Sequence, residues 1–328
     1  MREGRCAGSD EPSLAGPRAL PRAMTPCRIA YYSSIPCAPT AGGPLQVYRH
    51  FRERQDFTFL DLNPAENDMW EDWLGAAGRS PAFRRLARTR LYAPLLSLAH
   101  FTRVSRPARR TAAVHADRRP DAVVTVAYGR NAFVARALAR RWRVPLVTIL
   151  HDWYPDLVFS REGSAKTWLD RAFRRLAHSS DLLFPVSEAI LEELGGHPNA
   201  RLLPPIPATR SEAAPRGAPR ASDPDADRPL NVTYAGNLQG PYGALIRTLG
   251  ECRLRRNTAR WNLRAFGSAR DWAPESLERF RSAGVYGGVL AQGPELEDAL
   301  AAADVLLVAM DFLPESRRRV RTSFPSKI

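Results

Sequence analysis

Lysine is almost missing from this chain. Of its 48 basic residues only Lys166 and Lys327 are lysine, and the rest are arginine. With abundant alanine and proline, that bias belongs to composition as much as to function. Cysteine is scarce too: Cys6, Cys27, Cys37 and Cys252 form no Cys-x-x-Cys pair and no zinc spacing. Reduced thiols in a cytosolic protein are expected. No apolar run approaches the ~20 residues of a membrane span. Residues 1–23 lack the hydrophobic stretch of a secretory signal. They read as part of a disordered extension over 1–26, with Met24 as the expected natural start. No Gly-x-Gly-x-x-Gly occurs, which argues against a dehydrogenase.

What the chain does have is length and apolar content. Its 328 residues, 44% hydrophobic, suffice for two domains with their own cores. The net charge is +14. Most of it sits in residues 79–119, where eleven arginines face a single acid, Asp117. Phe83 and Leu86 are interleaved with arginines there, and Leu91, Leu95 and Leu98 form a later helical stripe. Such a segment fits an anionic membrane surface or an ordinary solvated basic face. Nucleic acid is disfavoured, because no recognition motif or aromatic platform accompanies the charge.

Residues 143–156 organise the rest. Val144 to Leu150 is short, apolar and β-branched, as in a parallel strand buried on both faces. The next residues are His151 and Asp152, then Trp153 and Tyr154. Ligands of open parallel sheets bind beyond the carboxyl ends of the strands, so this pair is placed to touch a substrate. The plainer alternative is a turn-capping histidine and an aspartate that starts the next segment.

The order of elements is regular. Strands are predicted at 28–34, 57–62, 121–127, 144–150 and 181–186. Helices are predicted at 45–54, 130–142, 165–178 and 189–194. Gly42-Gly43 precedes the first helix, with Pro44 in its first turn. That arrangement lets a ligand approach backbone amides at the positive end of the helix dipole. Ser187 has the chemistry of an N-cap, and Gly195-Gly196 that of a helix stop. A proline-rich linker is expected over 204–229. The alternation then restarts, with strands at 230–235, 261–266, 285–290 and 304–310 and helices at 242–252, 274–282 and 294–302. The fold class is α/β: two doubly wound parallel-sheet domains, 27–203 and 230–328, with a cleft between them.

Six pieces then carry a family resemblance. They are Gly42-Gly43, His151-Asp152, Pro-Val-Ser-Glu at 185–188, Tyr-Ala-Gly-Asn-Leu at 234–238, the stretch from Glu297 to Val308, and Thr-Ser-Phe-Pro-Ser-Lys-Ile at 322–328. In order and spacing they resemble the retaining glycosyltransferases of the GT-B fold, glycosyltransferase family 4-like. The resemblance implies two Rossmann-like domains, with His151 and Asp152 catalytic. It implies donor contacts from Gly42, Gly43, Ser187, Glu188, Gly236, Asn237, Ser326 and Lys327. It also implies a nucleotide-sugar donor, a lipid-linked or polysaccharide acceptor, no cofactor and no required metal. Helix amides and Lys327 would meet the charge growing on the departing diphosphate. The expected location is cytoplasmic, peripheral on the inner face of the membrane if the basic region binds lipid.

Two departures stand out. The run after Gly236 lacks the Arg and Lys that many members carry, and Arg247 is the one candidate substitute. The family also continues past the equivalent of Ile328, so the second domain is expected to be incomplete and the chain to lack full activity. Two alternatives stay open: a nucleotide-sugar epimerase of the same architecture, and a non-catalytic nucleotide-binding protein.

Overall fold

The computed structural model describes residues 26–40, 42–52, 57–63, 81, 89, 104–158, 163–205, 228–256, 260–290, 293–310 and 313–322. The predicted 1–26 extension and 204–229 linker therefore lie almost wholly outside the described residues, as does most of the arginine-rich region. Residues 26–205 build the first lobe. Its strands are β1 (Cys27–Tyr31), β2 (Phe57–Asp61), β3 (Ala122–Val126), β4 (Leu146–Leu150) and β5 (Leu182–Pro185). They pair in parallel in the order β2-β1-β3-β4-β5.

The central strands are apolar on both sides because both sides are covered. Val123, Leu146 and Leu150 face a core shared with α2 (Ser105–Val114), α3 (Asn131–Trp142), α5 (Ser164–His178) and α6 (Glu188–Leu194). Val124, Val126 and Ile149 face the opposite side, where Val47 of α1 (Gly43–Phe51) packs. One buried polar group inside β4 is satisfied: Thr148 Oγ1 accepts from Ser180 Oγ at 2.7 Å. The helix α4 (Tyr154–Val158) follows β4 directly.

Pro44 lies in the first turn of α1, as predicted, but the helix spans Gly43–Phe51 rather than 45–54. Gly195 and Gly196 stop α6 in left-handed conformations, at φ 85° and 87°. On α2, the arginines 106, 109 and 110 are exposed while Ala108 and Ala112 are buried in the core. Its apolar face is thus already occupied. The stripes at 83–86 and 91–98 lie outside the described residues.

The second lobe has β6 (Leu230–Ala235), α7 (Gly240–Arg255), β7 (Trp261–Phe266), α8 (Pro274–Ser282), α9 (Pro294–Ala301) and β8 (Val305–Leu306); α10 (Arg317–Thr322) follows them and packs on α6 and α4 of the first lobe. Its sheet is parallel, in the order β7-β6-β8. Two predicted strands differ from what is seen. Residues 285–290 are not a strand. Val285 to Gly288 runs beside β7 through backbone bonds of 2.7–2.9 Å, but Gly288, at φ 89°, turns the chain away. Gly287 is also pressed so close to the Phe266 ring that no Cβ fits. The predicted strand 304–310 is reduced to Val305–Leu306, plus one further bond from Leu307 N–H to the Thr233 carbonyl. Among the described residues, β8 is an edge with both side chains exposed.

One device recurs. Asp121, Asp181 and Asp304 each stand immediately before, or one residue before, a strand. Each carboxylate accepts a backbone N–H from the neighbouring strand: Arg28 at 2.7 Å, Leu146 at 2.8 Å and Asn231 at 2.8 Å. These bonds fix the register at the amino ends of the sheets, and the carboxyl ends are left for other work.

Candidate active site

At the carboxyl ends of β1, β4 and β5 the first lobe opens into a hollow of about 480 Å³, open solvent at its mouth included. Three segments build its wall. The first is the start of α1: Gly42, Gly43, Gln46 and His50 lie on one stripe, at the three-to-four spacing of a helix face. Gly42 holds φ +60°, a left-handed conformation that glycine adopts without strain. The second segment is the His151-Asp152 turn, which leaves the buried end of β4. Val186, Leu203 and Pro205 close the third side, beyond β5.

The glycines and the histidine meet directly. A Cβ added at Gly43 would sit 3.5 Å from His151 Nδ1, so the ring packs against the start of the helix. His151 keeps some exposed surface toward the cavity yet lies deep among protein atoms. Burial, and secondarily the nearby His50, push its pKa down to about 4. At neutral pH the imidazole is therefore uncharged, a hydrogen-bonding group rather than a cation. Next to it, Tyr128 at the end of β3 has its hydroxyl pKa raised, first by burial and then by the charge of Asp152. Its ring lies 5.0 Å from that of Tyr154.

The structure brings four of the ten predicted site residues together here: Gly42, Gly43, His151 and Asp152. Ser187 does occupy the N-cap position of α6, with an extended backbone, but its hydroxyl makes no cap bond. It donates instead to the Thr322 carbonyl at 3.1 Å. Neither Ser187 nor Glu188 lines the cavity. Gly236 and Asn237 follow β6 in the second lobe, in a turn closed on itself. The Asn237 carboxamide oxygen accepts from Gln239 N–H at 3.0 Å, and its carbonyl accepts from Tyr234 OH at 2.8 Å. Arg247 is exposed on α7. Ser326 and Lys327 lie outside the described residues. Among the described residues, the lining of this cavity comes from the first lobe.

Gln46 and His50 were missed in the sequence. Their signal was present, since both follow Gly43 at helical spacing. Among the described residues no group of three or more His, Cys, Asp or Glu side chains is arranged to hold a metal ion.

Residues 46–205 match the family described as "glycosyl transferase 4-like domain". Over that stretch, just under half of its length, the chain is similar to this family. No curated protein sequence matches the chain significantly. Among solved structures, Acinetobacter baumannii MurG is 14% identical, over 86% of this chain and 73% of its own, with a TM-score of 0.46. A UDP-forming α,α-trehalose-phosphate synthase from Burkholderia xenovorans is 17% identical, over 92% and 83%, with a TM-score of 0.48. A putative UDP-N-acetylglucosamine 2-epimerase from Listeria monocytogenes is 13% identical, over 90% and 76%, with a TM-score of 0.43. The two parallel sheets are consistent with the Rossmann-like domains of the GT-B fold. The cavity residues from Gln46 to Pro205 fall within the matched stretch, and the double glycine stands just before it.

Proposed function

We propose that the chain transfers a sugar from a nucleotide-sugar donor to a glycan or lipid-linked acceptor, with retention at the anomeric carbon. One observation carries this reading. Beside and within a stretch that matches a glycosyl transferase 4-like domain, Gly42-Gly43 and His151 converge on one solvent-open cavity at the carboxyl edge of the sheet. A helix start with glycines receives phosphate oxygens on its free amides. A neutral imidazole beside it hydrogen-bonds a sugar hydroxyl. Asp152 is the second catalytic candidate, placed on the same wall.

Ser187, Glu188, Gly236, Asn237, Ser326 and Lys327 complete the donor contacts in this reading. Lys327 supplies a positive charge that stabilises the departing diphosphate more in the transition state than in the ground state. No metal is assigned a part, so turnover is expected to survive chelation with EDTA. The exposed arginines on α2 support a lipid-linked acceptor held at an anionic membrane. Equal affinity for neutral and anionic vesicles would remove that portion.

Calorimetry with UDP and GDP, and with the sugars they carry, tests the donor half. Saturable binding that falls on H151A supports the assignment. A new sugar epimer formed from donor alone would replace transfer by isomerisation. Proton NMR of the product anomer tests retention.

A further inference from the structure

The turn that carries His151 and Asp152 is anchored by the residues just after it. Trp153 is fully buried, and its indole N–H donates to Asp170 Oδ1 at 2.7 Å. Asp156, also buried, accepts from Lys166 Nζ at 2.9 Å. Both anchors are then gripped from the other end of the chain. Arg318 of α10 binds Asp156 in two-point fashion, Nε to Oδ2 at 2.8 Å and a terminal nitrogen to Oδ1 at 2.6 Å. Its remaining nitrogen lies 3.1 Å from Asp170 Oδ1, and its guanidinium sits 5.0 Å from the Trp153 ring centre. On the second lobe, Arg319 stacks over Tyr242, in the first turn of α7, at 5.6 Å. A six-residue helix is therefore bonded to both lobes.

Charge explains why this grip matters. Asp156, Asp170 and Glu193 are matched by Lys166, Arg174 and Arg318, with ion pairs among them. Removing Arg318 leaves a largely buried cluster one cation short, an arrangement far costlier than an exposed broken pair. Burial works against ionising Asp156, but the bonds from Arg318 and Lys166 overcome it and hold the carboxyl below its usual range.

We propose that Arg318 is a positioning residue: through Asp156 and Trp153 it fixes the His151-Asp152 turn, and α10 thereby couples the second lobe to the cavity. The coupling rests on the reading of that cavity as the reaction site, but its structural core does not depend on turnover. Thr322, which ends α10, also receives the Ser187 hydroxyl and stands four residues before Ser326 in the sequence.

The test uses the full chain and needs no substrate. Hydrogen exchange over 151–158 and the titration of the His151 ring by NMR are compared in wild type, R318A, R318K and R321A. His50 on α1 and the adjacent Asp152 are the titratable groups facing that ring from the cavity. R318A is expected to speed exchange in 151–158 about tenfold while β3 peptides stay protected. It is also expected to raise the His151 pKa by about one unit as the loosened turn hydrates. R318K keeps the charge but loses the two-point grip, and is expected to fall between. R321A removes the exposed pair with Glu192 and a longer one with Glu193 at 4.0 Å, leaves the bonds to Asp156 and Asp170 in place, and is expected to match wild type at His151. If R318A does not fold, R318K against R321A gives the same comparison. The proposal is overturned if the Arg318 variants match wild type at His151, or if R321A shifts it equally. Failure of every nucleotide-sugar to bind would reject the transferase reading and leave this result standing.

Discussion

His151 shows how one side chain is set by its surroundings. Its pKa of about 4 in the fold lies below the ~6.5 of an unfolded chain. Between those values the unfolded chain binds the extra proton, so stability is complete above about pH 6.5 and falls as the pH drops toward 4. Urea unfolding at pH 4.5, 5.5 and 7 is expected to show this slope in wild type and a flatter profile in H151Q. Gly42 gives a second residue-scale prediction. At φ +60° an alanine costs roughly 1–2 kcal/mol. Gly43 differs, because its missing Cβ faces the imidazole at ordinary contact distance. G42A is therefore expected to lower the thermal midpoint more than G43A. The histidine and both glycines were legible in the sequence because each stands at the edge of a strong pattern. His50 was not, since a histidine inside a helix has no local signature until its neighbours in space are known.

At the scale of elements, the sheets hold their register through aspartates at the amino ends of strands. D181A leaves the Leu146 N–H without its acceptor, and is expected to cost about 1–3 kcal/mol in urea unfolding. D304A is expected to cost more, because that carboxylate also holds Arg228 with two bonds of 2.8 and 2.9 Å. The strands after Asp121 and Asp181 were readable because burial on both faces demands continuous apolar runs. Residues 285–290 satisfied the same composition and failed as a strand, because glycines at 287 and 288 turned the path beside Phe266. Helices α4 and α10 escaped notice for a different reason. Each is under two turns, too short for a hydrophobic period to show, and α10 is held by charge rather than by an apolar face.

At the scale of the whole molecule, the two parallel-sheet lobes follow from the alternation of strands and helices. What the alternation could not convey is how they are joined. The joint uses Arg318, Arg319 and the Ser187 hydroxyl, contacts between residues up to 162 positions apart. No spacing rule reaches that far along a chain. The same distance explains why Ser187, expected to cap a helix, is found bonded to Thr322.

The account stands most directly on release of nucleoside diphosphate from a panel of UDP- and GDP-sugars, measured with candidate acceptors on wild type and on H151A. It predicts acceptor-dependent release from at least one donor. In H151A, with an unchanged circular dichroism spectrum, release is expected to fall by about 100-fold or more. Equal rates in the two proteins, or no release and no binding of any donor, would contradict it.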